Sequence, residues 1–248
     1  MTNDKSIKTA VIFAGGVGTR MHSKDLPKQF LRIHGKPILV WTLEVFEDCP
    51  VIDHIVVVCA KDWISYCRDI INEFALTKVH SIAVGGETGQ LSIRSGLKAA
   101  AELSDSRRTI VLIHDGVRPL IDSETVLHDI DSIEKYGSAI TCVPTKETTL
   151  IEDKDELRII PREEVLLARA PQGFWLADIL SAHDKAFKVG KTDYIDSATL
   201  MSDYGYELHI VIGKYENIKI TTQDDYYSMR AILDSRENNQ LYCEYETE

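Results

Sequence analysis

An apolar, β-branched run, Thr9-Ala10-Val11-Ile12-Phe13, opens directly into Ala14-Gly15-Gly16-Val17-Gly18-Thr19-Arg20-Met21, and Leu26-Pro27-Lys28-Gln29-Phe30 follows closely. The run reads as a buried strand. The glycines after it allow the backbone to turn with its N–H groups exposed, and Arg20 and Lys28 bring two fixed positive charges to the same rim. A nucleoside triphosphate needs such a rim, whereas an ordinary strand-to-helix turn with incidental charges does not. Two familiar glycine loops are excluded. A Walker A loop requires Gly-Lys followed by Ser or Thr after four intervening residues, and the nearest lysine, Lys24, falls outside that spacing. A dinucleotide fingerprint over Gly16-Val17-Gly18-Thr19-Arg20 demands a small residue where Met21 stands.

Further strand-like runs follow at His54 to Cys59, His80 to Val84, Thr109 to His114, Ser138 to Val143 and Glu207 to Ile212. Between them, Ile38 to Phe46, Trp63 to Phe74, Ser92 to Leu103 and Ser123 to Tyr136 carry apolar residues three and four apart, the period of crossover helices. The alternation predicts an α/β fold with a Rossmann-like, mostly parallel sheet and helices on both faces. In such sheets, ligands gather at the carboxyl ends of the strands. The glycine loop, Gly85-Gly86 and His114-Asp115-Gly116 each follow a strand directly, so three loops are expected to meet at one cleft. Residues 1–248 are read as one domain with an excursion at about 144–171, where charged residues and short alternating runs such as Leu157-Arg158-Ile159-Ile160 replace the rhythm. That stretch is expected to be a protruding β-arm, too small for a core of its own and suited to pack on a second subunit. The tail after Arg236 is expected to be frayed or loosely docked.

The formal net charge of -11, with no extended basic tract, argues against nucleic acid as a partner. A small anionic substrate must therefore be drawn in by local cations. The five cysteines show no metal-ligand spacing, and Cys59 and Cys142 lie in strand-like runs, which suits buried thiols. With no signal-peptide pattern and no apolar stretch near the length of a membrane span, the expectation is a cytoplasmic protein without a membrane partner.

His114-Asp115-Gly116-Val117-Arg118-Pro119 ends a strand with a carboxylate, a glycine and an arginine. Asp115 suits Mg²⁺, which binds through one or two carboxylates plus substrate phosphates, and it equally suits a turn cap or a pair with Arg118. Gly85-Gly86-Glu87, followed by Ser92 at an expected helix start, permits close approach of a base or phosphate, though such a pair also serves plain turns. Lys219, between Ile218 and Ile220, reads as one face of a strand, held by an anionic ligand or solvated at an edge.

Taken in order, these motifs resemble the cytidylyltransferases that load a sugar-alcohol phosphate onto CTP, the group of the 2-C-methyl-D-erythritol 4-phosphate and ribitol-5-phosphate enzymes. The resemblance runs from about Thr9 to about Asp225. It is carried by the glycine loop, Leu26-Pro27-Lys28-Gln29-Phe30, Gly85-Gly86 with Ser92, His114-Asp115 with Arg118-Pro119, Pro171-Gln172, and Asn217-Ile218-Lys219. Lys36-Pro37-Ile38-Leu39 and Asp62-Trp63-Ile64-Ser65 look closer to the ribitol-5-phosphate enzymes. The resemblance implies a single nucleotidyltransferase domain that makes a CDP-polyol and pyrophosphate, with 2-C-methyl-D-erythritol 4-phosphate as the alternative acceptor. It implies Arg20, Lys28 and Lys219 around the α-phosphate of CTP, and Ala14, Gly15, Gly16, Gly86, Ser92 and Gly116 framing the nucleotide. Asp115 would serve Mg²⁺ and substrate, and Arg118 would help place the polyol phosphate. Thr148 and Arg162, on the arm, would touch the substrate phosphate, the arginine coming from the partner of a homodimer.

Two positions depart from the pattern. Glu87-Thr88-Gly89-Gln90 lacks the arginine usual after the glycine pair, and Ala170-Pro171-Gln172 stands where Thr-Pro-Gln is usual. The missing arginine keeps in view a nucleotide-binding relative with weak or no catalysis, and the Gly- and Arg-rich loop keeps in view a sugar-1-phosphate nucleotidyltransferase. Asp196 is assigned no role.

Overall fold

The structure is a computed structural model that describes residues 5–15, 26–153 and 156–243. Its centre is a seven-stranded sheet in the order β11-β7-β10-β6-β1-β4-β5. These strands are β1 (Ile7–Ala14), β4 (His54–Cys59), β5 (Val79–Val84), β6 (Thr109–Asp115), β7 (Ser138–Pro144), β10 (Leu166–Trp175) and β11 (Ile210–Ile212). β1, β4, β5 and β6 run parallel, β11 runs parallel to β7, and β10 lies antiparallel between β6 and β7. A small hairpin of β2 (Arg32–Ile33) and β3 (Lys36–Pro37) and a second one of β8 (Thr149–Asp153) and β9 (Glu156–Ile160) stand apart.

Strand β1 shows why the sheet is sandwiched. Ala10, Ile12 and Ala14 point to one side and Val11 to the other, and all are buried, as a strand covered on both faces requires. The first side receives α1 (Ile38–Glu47), α2 (Ile64–Glu73) and α4 (Ser123–Tyr136) through Leu43, Phe46, Ile70 and Ile130. The second receives α3 (Gly89–Leu103), α5 (Leu176–Lys188) and α6 (Ser197–Asp203) through Leu97, Ile179 and Leu200. α4 has sharp ends for local reasons. The Asp122 side chain accepts the Thr125 N–H at its start, and Gly137 closes it at φ 90°, a conformation that a side chain would strain. Four cysteines, Cys49, Cys59, Cys67 and Cys142, are buried and free.

The expected strands and crossover helices are present within a few residues, with helices on both faces. Three expectations change. The excursion is shorter than 144–171: only the β8–β9 hairpin leaves the body, because β10 begins at Leu166 and returns into the middle of the sheet. Lys219 lies on no strand but in the irregular segment between β11 and α7 (Gln223–Cys243). The tail after Arg236 continues as helix to Cys243 rather than fraying at once, and Glu237 and Asn238 at its start are exposed, in keeping with loose docking. That helix docks earlier, where Met229 and Leu233 pack with Ile220, Val117 and Leu120.

Candidate active site

The parallel strands point their carboxyl ends at one cleft. β1 ends at Ala14-Gly15, β5 delivers Gly85-Gly86, and β6 delivers Asp115-Gly116. Ser92, in the first turn of α3, ties the loop after β5 to that helix. Its hydroxyl accepts the Gly86 N–H at 3.1 Å and donates to the Thr88 carbonyl at 2.9 Å. Thr88 in turn caps α3 by accepting the Leu91 N–H at 3.1 Å. Gly86 has no room for a side chain, since a Cβ there would stand 2.5 Å from the Leu91 Cβ. A Cβ on Gly15 would come 3.6 Å from the Ser92 hydroxyl, which places the end of the β1 loop against the same turn. The Gly116 N–H donates to the Phe13 carbonyl at 3.0 Å and closes the β6 side. The N-terminus of α3, the positive end of its dipole, therefore faces a glycine-lined rim suited to anions.

Lys28 is brought to this rim by its neighbour. Buried Gln29 donates to the Ala14 carbonyl at 2.6 Å, stapling the short turn Lys28–Phe30 to the end of β1. The Lys28 ammonium reaches the Ile220 carbonyl at 2.9 Å, one residue past Lys219.

Asp115 is the electrostatic centre. Its Oδ1 lies 2.6 Å from Lys219 Nζ, and its Oδ2 accepts from Arg118 Nε at 2.8 Å. Burial alone would raise this carboxyl's pKa, but Lys219 and Arg118 prevail and hold it below the ordinary carboxylate range. His114 beside it is fully buried, which lowers its pKa to about 4, and its Nε2 sits 3.1 Å from the Arg118 carbonyl. The imidazole is thus a neutral support.

A cavity of about 250 Å³ opens beside Asp115, between Phe13, Arg118, Arg169, Gln172, Asp196 and Lys219. Arg169 and Arg118 converge on it from opposite elements. Arg118 Nη1 and Arg169 Nη1 donate to the same Asn217 carbonyl, at 2.9 and 2.7 Å. The Asn217 amide answers by donating to the Ala170 carbonyl at 2.7 Å. Gln172 donates to Asp196 at 3.3 Å and accepts the Ala198 N–H at 2.9 Å. Asp196 also caps α6 through the Thr199 N–H.

The structure brings together Ala14, Gly15, Lys28, Gly86, Ser92, Asp115, Gly116, Arg118 and Lys219. Gly16 and Arg20 lie outside the described residues. Thr148 and Arg162 do not reach this cleft within one chain. Both are exposed at the base of the β8–β9 hairpin, with Arg162 Nε 3.7 Å from the Glu163 carboxylate.

Comparison with known proteins decides the chemistry. A family model described as "IspD: 2-C-methyl-D-erythritol 4-phosphate cytidylyltransferase" matches residues 8–235. The chain belongs to this cytidylyltransferase family. It is 51% identical over 234 residues to a ribitol-5-phosphate cytidylyltransferase of Streptococcus agalactiae serotype V, covering 94% of this chain and 97% of that protein. It is 39% identical over 229 residues to a 2-C-methyl-D-erythritol 4-phosphate cytidylyltransferase of Geotalea uraniireducens, covering 92% and 97%. Among solved structures, the 4-diphosphocytidyl-2C-methyl-D-erythritol synthase of Anaerococcus prevotii superposes with a TM-score of 0.79 at 29% identity, covering 94% and 97%.

As a cytidylyltransferase the chain is a nucleotidyltransferase, and the cleft suits that class. Fixed cations surround one buried carboxylate, and Gly86 and Gly116 keep the backbone of the rim free of side chains. The described residues include no cluster of three or more His, Cys, Asp or Glu side chains arranged to hold a metal. Asp115 fits Mg²⁺ in another way. It is a hard oxygen donor whose oxygens keep lone pairs beyond the two contacts described, and Mg²⁺ completes its shell with phosphate oxygens and water.

Sequence reasoning missed Arg169 and Gln29. Gln29 sat inside a quoted motif, and only its burial distinguishes it. Arg169 lay in a stretch read as exposed arm, so its place beside the site was hidden.

Proposed function

We propose that this cytidylyltransferase transfers the cytidylyl group of CTP to D-ribitol 5-phosphate, giving CDP-ribitol and pyrophosphate. The observation that carries the acceptor's identity is the 51% identity to a ribitol-5-phosphate enzyme, against 39% to the 2-C-methyl-D-erythritol 4-phosphate enzyme above. The family description favours the latter acceptor as the second reading.

The chemistry follows from charge. The acceptor's phosphate, largely dianionic near neutral pH, is the nucleophile, so no general base is required. One P–O bond forms between an acceptor oxygen and the α-phosphorus, and the bond to the leaving pyrophosphate breaks in line. The obstacle is repulsion between two anions. Lys28, Lys219 and Arg20 stabilise charge on the α-phosphate, while Arg118 orients the acceptor. Gly15, Gly16, Gly86 and Gly116, with Ala14 and Ser92, frame the nucleotide. Asp115 would hold Mg²⁺, which would supply charge neutralisation at the phosphates. In the same reading two chains pair through the β8–β9 hairpins, and Thr148 and Arg162 complete the neighbouring subunit's acceptor site. The hairpin supports this with exposed Leu150, Ile151, Leu157 and Ile159, an apolar surface too small to cover itself.

The test is pyrophosphate release from purified protein with CTP and Mg²⁺, comparing ribitol 5-phosphate with 2-C-methyl-D-erythritol 4-phosphate. A kcat/KM at least tenfold higher for ribitol 5-phosphate is expected. The opposite preference would transfer the protein to the second reading, and CTP binding without turnover would make it a non-catalytic relative.

A further inference from the structure

Arg169 is a half-buried guanidinium without a carboxylate partner among the described residues. Its Nη1 donates to the Tyr215 carbonyl at 2.9 Å and the Asn217 carbonyl at 2.7 Å, and neither acceptor carries a charge. Arg118 reaches the same Asn217 oxygen, so two like charges are held close together. Nearby, Asp115 is already shared between Arg118 and Lys219. Asp196, the other acid lining the cavity, caps α6 through Oδ1 and accepts from Gln172 through Oδ2. Three cations thus stand against two carboxylates that already have partners, in a protein whose overall charge is strongly negative. A dianionic group entering the cavity would remove that excess.

Topology says which dianion. The glycine rim and Lys28 sit at the ends of β1 and β5, whereas Arg169 enters from β10, on the other side of β6. Gln172 pairs with Ile113 and the strands are antiparallel, so Arg169, three residues earlier on β10, lies beyond the carboxyl end of β6 and on the far side of Asp115 from the triphosphate rim. We propose that Arg169 is a specificity-determining residue that binds the phosphate of the acceptor polyol phosphate through the guanidinium edge left open by Nη1. The inference rests on the transferase reading above and assigns the acceptor half of the same cleft.

Arg169→Gln tests it. In steady-state assays using whichever polyol phosphate the native protein turns over, KM for the acceptor is expected to rise at least tenfold. KM for CTP should stay within twofold, and Arg169→Lys should recover part of the loss. A purely structural role, bracing the 215–217 segment that precedes Lys219, would instead lower kcat or raise the CTP KM while sparing the acceptor KM, and that result would overturn the proposal. Calorimetric titration of inorganic phosphate into protein saturated with a non-cleavable CTP analogue gives an answer independent of turnover. Arg169→Gln should bind phosphate at least tenfold more weakly, and equal binding would overturn the inference. A native protein inert with every polyol phosphate would sink the functional reading, and the phosphate titration would still decide Arg169. If Arg169→Gln loses its circular dichroism signature, the same titration on folded Arg169→Lys replaces it, with a threefold or greater weakening expected.

Discussion

The ammonium of Lys219 lies 2.6 Å from the Asp115 carboxylate, joining the irregular segment before α7 to the end of β6. The pair keeps a cation at the reaction centre while its partner stays ionised. Lys219→Met would leave Arg118 as the cation paired with Asp115 among the described residues and take a charge from the α-phosphate. A fall in kcat of about a hundredfold is expected, equivalent to about 3 kcal/mol of transition-state stabilisation. Pyrophosphate release measures it, and near-normal kcat in the folded variant would remove Lys219 from the mechanism.

Lys28→Ala should cost a similar factor with the fold intact, because Lys28 sits on a surface turn that Gln29 anchors independently. Circular dichroism alongside the rate measurement separates the two effects. A variant that folds and retains more than a tenth of native kcat would contradict the assignment.

Ser92→Ala removes the acceptor of the Gly86 N–H. Leaving that group unsatisfied should destabilise the protein by about 1–3 kcal/mol, read as a lower urea midpoint at unchanged slope. Because the same hydroxyl shapes the glycine rim, KM for CTP should rise as well. An unchanged urea midpoint would show that water replaces the hydroxyl without cost.

His183 is expected to contribute to acid stability, as His114 does. Burial lowers the His183 pKa to about 4, with nearby Arg94 lowering it further and Asp184 opposing, and neither ring nitrogen has a hydrogen-bond partner among the described residues. The folded state holds the ring neutral while the unfolded chain takes a proton near pH 6.5. The stabilisation is complete above that pH and is lost as pH falls toward 4, about 3 kcal/mol in all. His183→Leu should flatten this part of the Tm-against-pH curve. An unchanged slope would assign the loss to other groups.

Asp129 acts in the opposite direction. It is buried against the Thr141 hydroxyl, and burial raises its pKa to about 8. Its contribution is complete below the unfolded carboxylate value and declines as pH rises toward 8. Asp129→Asn should therefore raise Tm above pH 8 relative to the native chain, which thermal melts at pH 8.5 would record.

The sheet's parallel half was legible because β1, β4 and β6 are buried on both faces and read as unbroken β-branched runs. β10 was not. Arg169, Pro171 and Gly173 interrupt its apolar pattern, and a proline is expected to demote a strand to an edge. The register shift between Ala168 and Gln172 accommodates that proline in a central strand. Lys219 was read onto a strand because Ile218 and Ile220 flank it. Ile220 instead packs under α7 and donates its N–H to the Val117 carbonyl, so the alternation reflects docking onto a helix. The glycine loops and Asp115 were visible since each directly follows a strong strand. Arg169, the cation that β10 brings to the cleft, required tertiary structure.

The strand order has a consequence for how the protein is made. β1, β4, β5 and β6 are complete by Asp115, so the nucleotide-facing part of the sheet can assemble while the ribosome is still translating the rest. The wall carrying Arg169, Gln172 and Asp196 comes later, and Lys219 later still. Until β10 is synthesised, β6 presents an open hydrogen-bonding edge able to pair with another nascent chain. Stop codons between Gly137 and Leu166 would therefore yield insoluble fragments rather than half-active enzymes.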